Sequence, residues 1–183
     1  RSSAASDVYK RQELYRSIFD KKDPTVALLN VGSEEIKGHE ELKNAFNALS
    51  KNKNNFNFSG YIEGNHIKDG DVDVIITDGF SGNIALKTAE GTVNFITTEI
   101  KKIFSNSFFG KVCYLFSFPL FKKVKQTLDP RKYNGGIFLG LNAPVIKSHG
   151  SADSLAFFYS IKLSAKILRG GLVKRIKSNF ENE

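Results

Sequence analysis

The chain has 183 residues, of which 40% are hydrophobic, so it is long enough to bury a single core. No apolar run approaches the roughly 20 residues that a transmembrane helix needs, and no signal peptide is evident. The net charge of +8 fits an acidic protein partner or an anionic bilayer, whereas nucleic acid is not indicated, because no recognition motif accompanies the lysines.

The cysteine and histidine content argues against disulfides and metal centres. The one cysteine, Cys113, excludes an internal disulfide, fits a reducing cytoplasm and is best interpreted as a small apolar filler. The three histidines are not at metal-ligand spacing. We therefore predict no metal site.

The first residues of the chain, 1–12, read RSSAASDVYKRQ and have no hydrophobic period. They resemble a translated cloning or sequencing adaptor, and we expect a non-native or disordered leader; the alternative is a loop of an upstream domain. Glu13 to Phe19 is expected to be the end of a helix. At the other end of the chain, residues 171–183 are expected to be a polar tail.

Two strand–turn–helix units are predicted in the first half of the chain. Val26 to Asn30 is an apolar strand, and the turn after it carries Glu34 and Lys37 before a helix begins. VDVIIT indicates a second buried strand that ends near Thr77. The segment from Asp78 to Lys87, DGFSGNIALK, then predicts a glycine turn at the start of another helix.

The glycine turn that follows Thr77 is a candidate anion site. The first N–H groups of a helix are unpaired and its dipole is positive there, and Gly79 and Gly82 permit close backbone approach and unusual φ angles. The alternative is an ordinary strand-to-helix turn. The spacing matches neither the P-loop nor the dinucleotide fingerprint, so neither ATP nor NAD is indicated, and no cofactor is predicted.

A lysine-flanked apolar segment follows. An amphipathic helix is predicted from Thr92 to Phe104, and the next segment, FFGKVCYLFSFPLF from Phe108 to Phe121, is almost wholly apolar. It is too short to span a bilayer but suits the plane of a membrane interface. The alternative is a helical hairpin buried against the sheet or in a dimer interface. The residues predicted to contact a membrane are Phe108, Phe109, Leu115, Phe116, Phe118 and Leu120.

A third strand–turn–helix unit is predicted near the end of the chain. Pro144 to Lys147 begins a short strand, His149 to Ser151 forms the turn, and Ser151 is the candidate N-cap. The helical face expected to be buried consists of Ala152, Ala156, Tyr159, Leu163 and Ile167. Three such units predict an α/β fold with a mostly parallel sheet and a site at the carboxyl edge of its strands.

Several long motifs, in one order from about Pro24 to Lys166, resemble the bacterial acyl-ACP:phosphate acyltransferases of the PlsX family. They read LLNVGSEEIKG, GYIEGN, DVIITDGFSGNIALKTAEG and GGIFLGLNAPVIKSHGSAD. The resemblance implies transfer of a fatty acyl group from acyl carrier protein to inorganic phosphate, which supplies phospholipid synthesis. The sequence departs from the family pattern at Ala143, where glycine is usual, and at His66, where an acidic or other polar residue is usual.

The resemblance also implies an α/β/α sandwich related to isocitrate dehydrogenases, a homodimer, and docking of a cytoplasmic enzyme on the membrane through a protruding helical hairpin at about residues 92–128. Family members are roughly twice as long as the match, and their upstream part contributes glycine-rich turns to the same cleft. We therefore expect residues 13–170 to be the C-terminal part of the acyltransferase domain, which the lack of any methionine supports. Alone, this fragment is expected to be inactive.

The implied reaction needs groups that hold a multiply charged anion and stabilise an oxyanion, because phosphate is itself the nucleophile and a thiolate leaves readily. The candidates for phosphate binding are Gly79, Ser81, Gly82, Asn83 and Lys87. The catalytic candidates are Asn142 and His149, as donors to the thioester oxygen, and Lys147, as a balance for phosphate charge. The orienting candidates are Glu34, Lys37, Glu63 and Asp78. A structural role is the alternative for each, and for Asp78 it is a simple cap of the turn.

Two other functions remain open at this point. One is another two-domain α/β enzyme of the same broad fold, such as a phosphate acetyltransferase or a decarboxylating dehydrogenase. A dehydrogenase would need a cofactor loop and metal-binding aspartates clustered on a helix, and neither is evident in the sequence. The other is a non-catalytic fragment that only dimerises or binds a membrane.

Overall fold

A computed structural model describes residues 3–51 and 57–181 of the chain. The elements are α1 (Ser3–Phe19), β1 (Thr25–Asn30), α2 (Glu40–Lys51), β2 (Asn57–Glu63), β3 (Val74–Ile76), α3 (Gly79–Ser105), α4 (Phe108–Thr127), β4 (Gly136–Phe138), β5 (Val145–Lys147), α5 (Ser154–Arg169) and α6 (Leu172–Glu181). They form two compact units. The first comprises Arg1–Thr77 and Tyr133–Glu183, and the second, with α3 and α4, comprises Asp78–Lys132.

Three parallel strands form a sheet in the first unit, in the order β2–β1–β3. The central strand β1 is hydrogen-bonded on both sides, and its middle residues, Val26 to Leu28, are buried. The predicted strands at Val26 to Asn30 and before Thr77 are confirmed as β1 and β3. Together with the helices, this parallel sheet confirms the predicted α/β class.

A β-bulge shapes the pairing of β2 with β1. The register shifts between Val26 and Leu28, so β2 uses one more residue than β1 over this stretch. Gly60 takes a φ of +93°, a left-handed conformation that favours glycine. Beside it, the Ser59 hydroxyl donates to the Val26 carbonyl at 3.0 Å. Beyond the bulge the two strands stay in register to their carboxyl ends.

Helix α2 and two aromatic contacts close the core over this sheet. Leu49 of α2 is buried in the same apolar cluster as Val26 of β1. The ring of Phe46 stacks on Tyr61, with centroids 4.6 Å apart, and meets Phe58 edge-on at 5.5 Å. The aromatic side chains of β2 therefore join the strand to the helix above it.

Helix α1 differs from the disordered leader expected for residues 1–12. Val8 is buried, and Gln12 is buried and donates from Nε2 to the Pro24 carbonyl at 3.3 Å. Tertiary packing of this kind is what stabilises most helices in proteins. The segment from residue 171, expected to be a polar tail, likewise contains a helix, α6. Leu172 at the start of α6 is buried, and this packing stabilises the helix. The non-native origin of residues 1–12 stays a prediction.

β5 lies outside the parallel sheet, so the prediction that a third strand–turn–helix unit extends that sheet is wrong. β5 pairs antiparallel with β4, with Ile137 facing Ile146, in a separate two-stranded sheet. The connection between the strands, residues 139–144, is too short for the crossover that parallel pairing requires. Gly140, at a φ of +87°, lies in this connection.

Asp73, just before β3, ties the start of β1 to the first helix. Its carboxylate accepts hydrogen bonds from the N–H and hydroxyl of Thr25 at 2.8 and 2.9 Å. The Lys21 ammonium, at 2.6 Å, and the Tyr15 hydroxyl, at 3.0 Å, also donate to it. Burial raises the pKa of Asp73, but the hydrogen bonds from Lys21, Thr25 and Tyr15 together outweigh burial and lower the pKa to about 2.

The two chain segments of the first unit meet where α5 ends against α1. Gly170 follows α5, and a Cβ at this position would overlap the backbone of Ser17. One turn earlier, the Lys166 ammonium lies 5.9 Å from the centroid of the Phe19 ring. A glycine is therefore required for this close approach of the two helices.

The second unit is a helical hairpin held by aromatic rings. Phe104 of α3 lies 5.9 Å from Tyr114 and 5.2 Å from Phe121 of α4, and these two rings stack at 5.4 Å. Ser107 caps α4 by accepting from the Gly110 N–H at 2.9 Å. A Cβ on Gly110 would lie 2.7 Å from the Phe104 carbonyl oxygen, so the tight turn requires glycine.

The first helix of the hairpin is longer than predicted. α3 is continuous over 27 residues from Gly79, so the glycine turn and the amphipathic segment predicted from Thr92 belong to one helix. α4 continues through Pro119, and Cys113 lies in its first half, partly buried. Among the residues that the structure describes, none of the helices combines the length and apolarity needed to cross a membrane.

Replacing Asp73 by asparagine is expected to lower the free energy of unfolding of the chain at neutral pH by about 1–3 kcal/mol, since Lys21 and Thr25 lose a charged acceptor. The folded pKa of about 2 lies below the usual 3.8, so the stabilisation is complete above about pH 4 and is lost as the pH falls towards about 2. Chemical denaturation across this range should therefore show a shallower pH dependence for the variant.

The matched control for this experiment is Asp71→Asn, an identical change at an exposed position near Asp73. We expect the control to unfold like the wild-type chain at each pH. Equal losses of stability in the two variants would contradict the role assigned to Asp73.

Candidate functional site

Asn30 organises the loop at the carboxyl end of the central strand. It is the last residue of β1, is 7% exposed and pairs in register with Glu63, the last residue of β2. Its Oδ1 accepts from the Val31 N–H at 2.9 Å, and its Nδ2 donates to the Lys37 carbonyl at 3.2 Å. Gly38, at a φ of +89°, leaves no room for a Cβ beside this amide. The loop is therefore folded back around one buried side chain.

Three orienting candidates lie at this edge of the parallel sheet: Glu34 and Lys37 in the loop, and Glu63 at the end of β2. The Lys37 ammonium is 3.9 Å from Glu34 Oε1, and both side chains are about half exposed. An exposed pair at this distance contributes little to stability. Glu34 is thus near enough to orient Lys37, and both groups remain accessible from solvent.

Asp78 occupies the N-terminus of α3. Its Oδ1 accepts from the N–H groups of Phe80 and Ser81 at 2.9 and 2.8 Å, and its carbonyl accepts from the Gly82 N–H at 3.0 Å. Hydrogen bonds from Ser81, and secondarily from Phe80, lower the pKa of Asp78. Asp78 is therefore the N-cap, as the simpler interpretation of this residue predicts. A phosphate bound here shares these N–H groups with a carboxylate of like charge.

The glycines of this turn are helical. Gly79 and Gly82 lie inside α3, so their φ angles are those of a right-handed helix, and the unusual φ that glycine permits is not adopted at either position. The helix begins earlier than the glycine spacing suggests, because Asp78 caps it. A Cβ on Gly79 would meet no described atom within 4 Å, so the turn is open on that side. The other two polar candidates, Ser81 and Asn83, lie in the first two turns of α3.

Lys87, the cation predicted for phosphate, lies further along α3. Its ammonium is 2.7 Å from Glu90 Oε2, and about half of its side chain is exposed. This pair joins residues three apart on one helix face, a spacing that favours ion pairs. A role in phosphate binding therefore requires Lys87 to exchange or share its carboxylate partner.

Asn142 and Lys147 belong to the two-stranded sheet of the first unit. Asn142 lies in the connection between β4 and β5, Lys147 is the last residue of β5, and both are exposed. Lys147 pairs with Gly136 across the sheet. Since only Ser148 separates Lys147 from His149, the cation and the imidazole both lie at the carboxyl end of β5.

His149 is oriented by Ser151. The ring nitrogen Nδ1 is 2.8 Å from the Ser151 hydroxyl and 3.3 Å from the Ser151 backbone nitrogen. A backbone N–H can only donate, so Nδ1 is the acceptor, and the neutral ring carries its proton on Nε2. The exposed His149 side chain therefore presents Nε2–H as a hydrogen-bond donor.

The N-cap of α5 is Asp153 rather than the predicted Ser151. Asp153 Oδ1 accepts from the Ala156 N–H at 2.8 Å, whereas the Ser151 hydroxyl is engaged by the ring of His149. Aspartate caps helices as well as serine does, and a residue bonded to a neighbouring ring is not free to do so. The predicted helical face is confirmed in part, because Ala156 and Ile167 are buried.

The candidate residues thus fall into three groups. In the first unit, Glu34, Lys37 and Glu63 follow the parallel strands, and Asn142, Lys147 and His149 follow the two-stranded sheet; in the second unit, Asp78, Gly79, Ser81, Gly82, Asn83 and Lys87 begin α3. Their functional roles stay predictions. Asn30 is not among the predicted site residues, and its signal in the sequence is its position between an apolar strand and a glycine-containing turn. Within the described residues, no cluster of three or more His, Cys, Asp or Glu side chains is arranged to hold a metal ion.

Comparison with known proteins adds an independent finding. The model of the fatty acid synthesis protein family matches residues 11–175. The phosphate acyltransferase of Pelagibacter ubique is 50% identical over 168 residues, which are 91% of this chain and 50% of that protein. The phosphate acyltransferases of Agrobacterium fabrum and Paramagnetospirillum magneticum are 43% and 44% identical, over 91% and 92% of this chain and 47% and 48% of theirs.

The parallel sheet with polar turns at its strand ends defines an α/β protein with candidate anion-binding groups. The chain belongs to the fatty acid synthesis protein family, whose model covers most of it. The family resemblance of its motifs is thereby confirmed. The chain spans about half the length of the relatives that it matches.

Replacing Asp78 by asparagine is expected to tighten the binding of inorganic phosphate at the start of α3. Asparagine keeps the cap but removes a like charge within hydrogen-bonding distance of the same N–H groups. We expect the dissociation constant for phosphate, measured from the amide NMR shifts of residues 79–83, to fall about 3- to 10-fold.

The control is Glu99→Gln, which removes one negative charge further along α3, where Glu99 pairs with Lys102. It should leave the dissociation constant unchanged. If phosphate shifts none of these amides in any of the three proteins, the turn is structural and does not bind phosphate.

Proposed function

We propose that the full-length protein transfers a fatty acyl group from acyl carrier protein to inorganic phosphate, producing acyl phosphate for phospholipid synthesis. The observation that carries this proposal is the match to phosphate acyltransferases along 91% of the chain. Membership of a fatty acid synthesis family supports the fatty acyl group. The resemblance of the motifs to acyl-ACP:phosphate acyltransferases supports a carrier-bound donor.

In the proposed reaction, a phosphate oxygen attacks the thioester carbonyl carbon. The new C–O bond forms while negative charge develops on the carbonyl oxygen, and the C–S bond then breaks to release the pantetheine thiolate, which takes a proton from solvent. Phosphate supplies its own anionic oxygens, so the enzyme needs no strong base. It needs groups that orient two anionic reactants and stabilise the oxyanion.

The proposed oxyanion donor is His149. Ser151 holds the ring so that the neutral imidazole donates through Nε2, and a donor fixed before the reaction starts needs no reorganisation in the transition state. Asn142 is the second donor, and Lys147 balances the charge of the incoming phosphate; both are exposed, Lys147 is two residues before His149, and Asn142 lies in the connection before β5. In this scheme Glu34 and Glu63 orient Lys37 or an amide of the pantetheine arm.

The phosphate itself is proposed to bind at the start of α3. The open side of Gly79 and the N–H groups of the first helical turn favour an anion, and Lys87 supplies a nearby positive charge on the same helix. The cap formed by Asp78 opposes this binding. Its replacement therefore tests this part of the scheme independently of catalysis.

The proposed partners of the enzyme are an acidic carrier protein and a second subunit. The net charge of +8 supports association with acyl carrier protein in the cytoplasm. A homodimer is supported by apolar side chains of α5 that remain about half exposed or more, among them Phe157, Ile161 and Leu168.

The helical hairpin is proposed to dock the enzyme peripherally on an anionic membrane. Phe108 and Phe116 of α4 are 85% and 79% exposed, and Phe109, Leu115 and Leu120 are also mostly exposed. The aromatic cluster inside the hairpin does not cover them. The flanking lysines are Lys101, Lys102, Lys111, Lys122, Lys123 and Lys125. Exposed apolar side chains beside lysines favour an interface with anionic lipid.

Of the six predicted membrane contacts, Phe118 fits least well. It is 50% exposed, and its ring lies 6.1 Å from Tyr114 inside the hairpin. Phe118 is thus shared between the interior of the hairpin and its surface. The alternative is that this surface of the hairpin packs against protein. The aspartate substitutions in α4 described below distinguish protein from lipid.

Acyl phosphate formation tests the proposed activity. The full-length enzyme for this assay consists of residues 13–183 joined to the half of the Pelagibacter ubique relative that this chain does not span, and the intact relative is the control. We expect acyl phosphate from acyl carrier protein thioesters and inorganic phosphate, and almost none from the 183-residue chain alone, because the family resemblance implies a cleft built from both halves.

The donor distinguishes the alternatives in the same assay. Turnover of acetyl-CoA in preference to acyl carrier protein thioesters would favour a phosphate acetyltransferase, and reduction of a nicotinamide cofactor would favour a dehydrogenase. If the control is active but the joined enzyme folds and forms no acyl phosphate, the proposed function is wrong.

Replacing Leu115, Phe116 and Leu120 together by aspartate is expected to release the full-length enzyme from anionic liposomes. Each buried apolar side chain contributes very roughly 1–3 kcal/mol, so three losses exceed what marginal peripheral binding tolerates. Co-sedimentation with vesicles measures the effect. Higher salt should weaken the binding of the unaltered enzyme only partly, since it screens the lysines but not the apolar contacts.

The control introduces three aspartates at exposed polar positions of α3, Asn94, Thr97 and Thr98. It adds the same charge without removing apolar surface, so it should retain more vesicle binding. A Leu115, Phe116 and Leu120 variant that stays on liposomes but becomes monomeric would show that this surface packs against protein.

A further inference from the structure

Asn134, just before β4, connects the turn that carries His149 to helix α5. Its Nδ2 lies 2.8 Å from the Ser148 hydroxyl, 2.9 Å from the Ser160 hydroxyl and 3.0 Å from the Ala156 carbonyl. Its Oδ1 accepts from the His149 N–H at 3.1 Å. One side-chain amide therefore contacts the two residues that follow β5 and the first two turns of α5.

The donor capacity of the Asn134 side-chain amide is fully used. The His149 backbone N–H can only donate, so the amide atom facing it must be the oxygen, and this fixes the orientation of the amide. The NH2 group then has two hydrogens for three acceptors within 3.0 Å. Rotation of this side chain breaks several bonds at once.

The surroundings of Asn134 allow little movement. Ser160 and Ala156 are buried. Gly135, the next residue, has a φ of +115°, and a Cβ there would lie 3.2 Å from Leu163 and 3.3 Å from Ile146. The backbone beside Asn134 is thus pressed against α5 and β5, and its side chain is a fixed anchor for the turn.

We propose that Asn134 is the positioning residue that holds the His149 turn in its reactive geometry. Asn134 fixes the backbone of His149, and Ser151 fixes its ring, so that Nε2–H keeps one direction relative to the two-stranded sheet. This inference rests on the proposed function, in which that N–H donates to the thioester oxygen. Asn134 itself touches no reacting atom in this scheme.

Three variants separate positioning from ordinary stabilisation. Asn134→Ala removes every bond of the amide. Asn134→Asp keeps an acceptor for the His149 N–H but loses the donors to Ser148 and α5. Ser160→Ala removes a buried partner of the amide and leaves the bond to His149 in place.

Hydrogen exchange in the intact 183-residue chain tests the anchor directly. We expect the His149 amide to exchange at least about tenfold faster in Asn134→Ala than in the wild-type chain, because its acceptor is gone. The Nδ1 and Nε2 signals of the ring should also shift towards a mixture of tautomers. Asn134→Asp and Ser160→Ala should keep the His149 amide protected.

Kinetics of the full-length enzyme test the consequence for catalysis. We expect kcat to fall about 10- to 100-fold in Asn134→Ala with little change in KM, since a misplaced oxyanion donor affects the transition state more than substrate binding. Asn134→Asp should retain most of kcat. Ser160→Ala should lower the midpoint of thermal unfolding without lowering kcat at temperatures where it is folded.

Each outcome either supports or overturns the inference. Unchanged exchange of the His149 amide in Asn134→Ala overturns it, whatever the activity. Faster exchange with unchanged kcat also overturns it and removes His149 from the proposed chemistry. If losses of kcat follow the unfolding midpoint across the three variants, the role of Asn134 is structural. If the unaltered enzyme forms no acyl phosphate, the proposed function fails, and exchange alone then decides whether Asn134 holds the turn.

Discussion

The hydrogen bonding of β1 on both of its edges is the constraint on which the first unit depends. A strand paired on both sides has its backbone groups committed to the sheet, so it is stable only among apolar neighbours and between well-placed turns. Asp73 fastens its beginning through Thr25 and the first helix. The buried amide of Asn30 fastens its end. The central strand is therefore clamped by a polar side chain at each terminus.

The same device recurs at three of the turns that carry candidate site residues. An aspartate or asparagine bonds to the backbone of the following turn in each case: Asn30 after β1, Asp78 after β3, and Asn134 for the turn after β5. Short side chains of this type replace water at exposed backbone groups and restrict the turn. Turns built in this way have a conformation that is fixed by hydrogen bonds within the chain itself.

The strands with a strong apolar pattern were predictable from the sequence. β1 and β3 are short, buried and rich in aliphatic residues, so their pattern decides their structure. β2 is not predicted, because only Ile62 of its side chains is buried and its bulge at Gly60 interrupts the alternation of the strand. β5 is predicted, but its antiparallel partner β4 is not. The pairing of the two strands depends on the short connection between them and not on the residues of β5.

The candidate site shows a similar division. The turns themselves are visible as glycine, serine and asparagine after apolar runs, and the motifs indicate the family. The sequence does not show which polar groups form hydrogen bonds with each other. Ser151 and Asp153 are both good caps by residue type, and only the bond from Ser151 to His149 decides between them. Asn134 is missed for the same reason, because its four partners are brought to it by folding.

The order in which the chain is made has consequences for this architecture. The first unit is interrupted by the hairpin, residues 78–132, yet its two segments pack closely, with Gly170 against Ser17. At a synthesis rate of about 5–20 residues per second, the ribosome needs roughly 3 to 11 seconds to make the interruption. During this interval the nascent α1 has no α5 to pack against, and the hairpin exposes its phenylalanines. Translation speed across this segment therefore governs how long the nascent protein is vulnerable to aggregation.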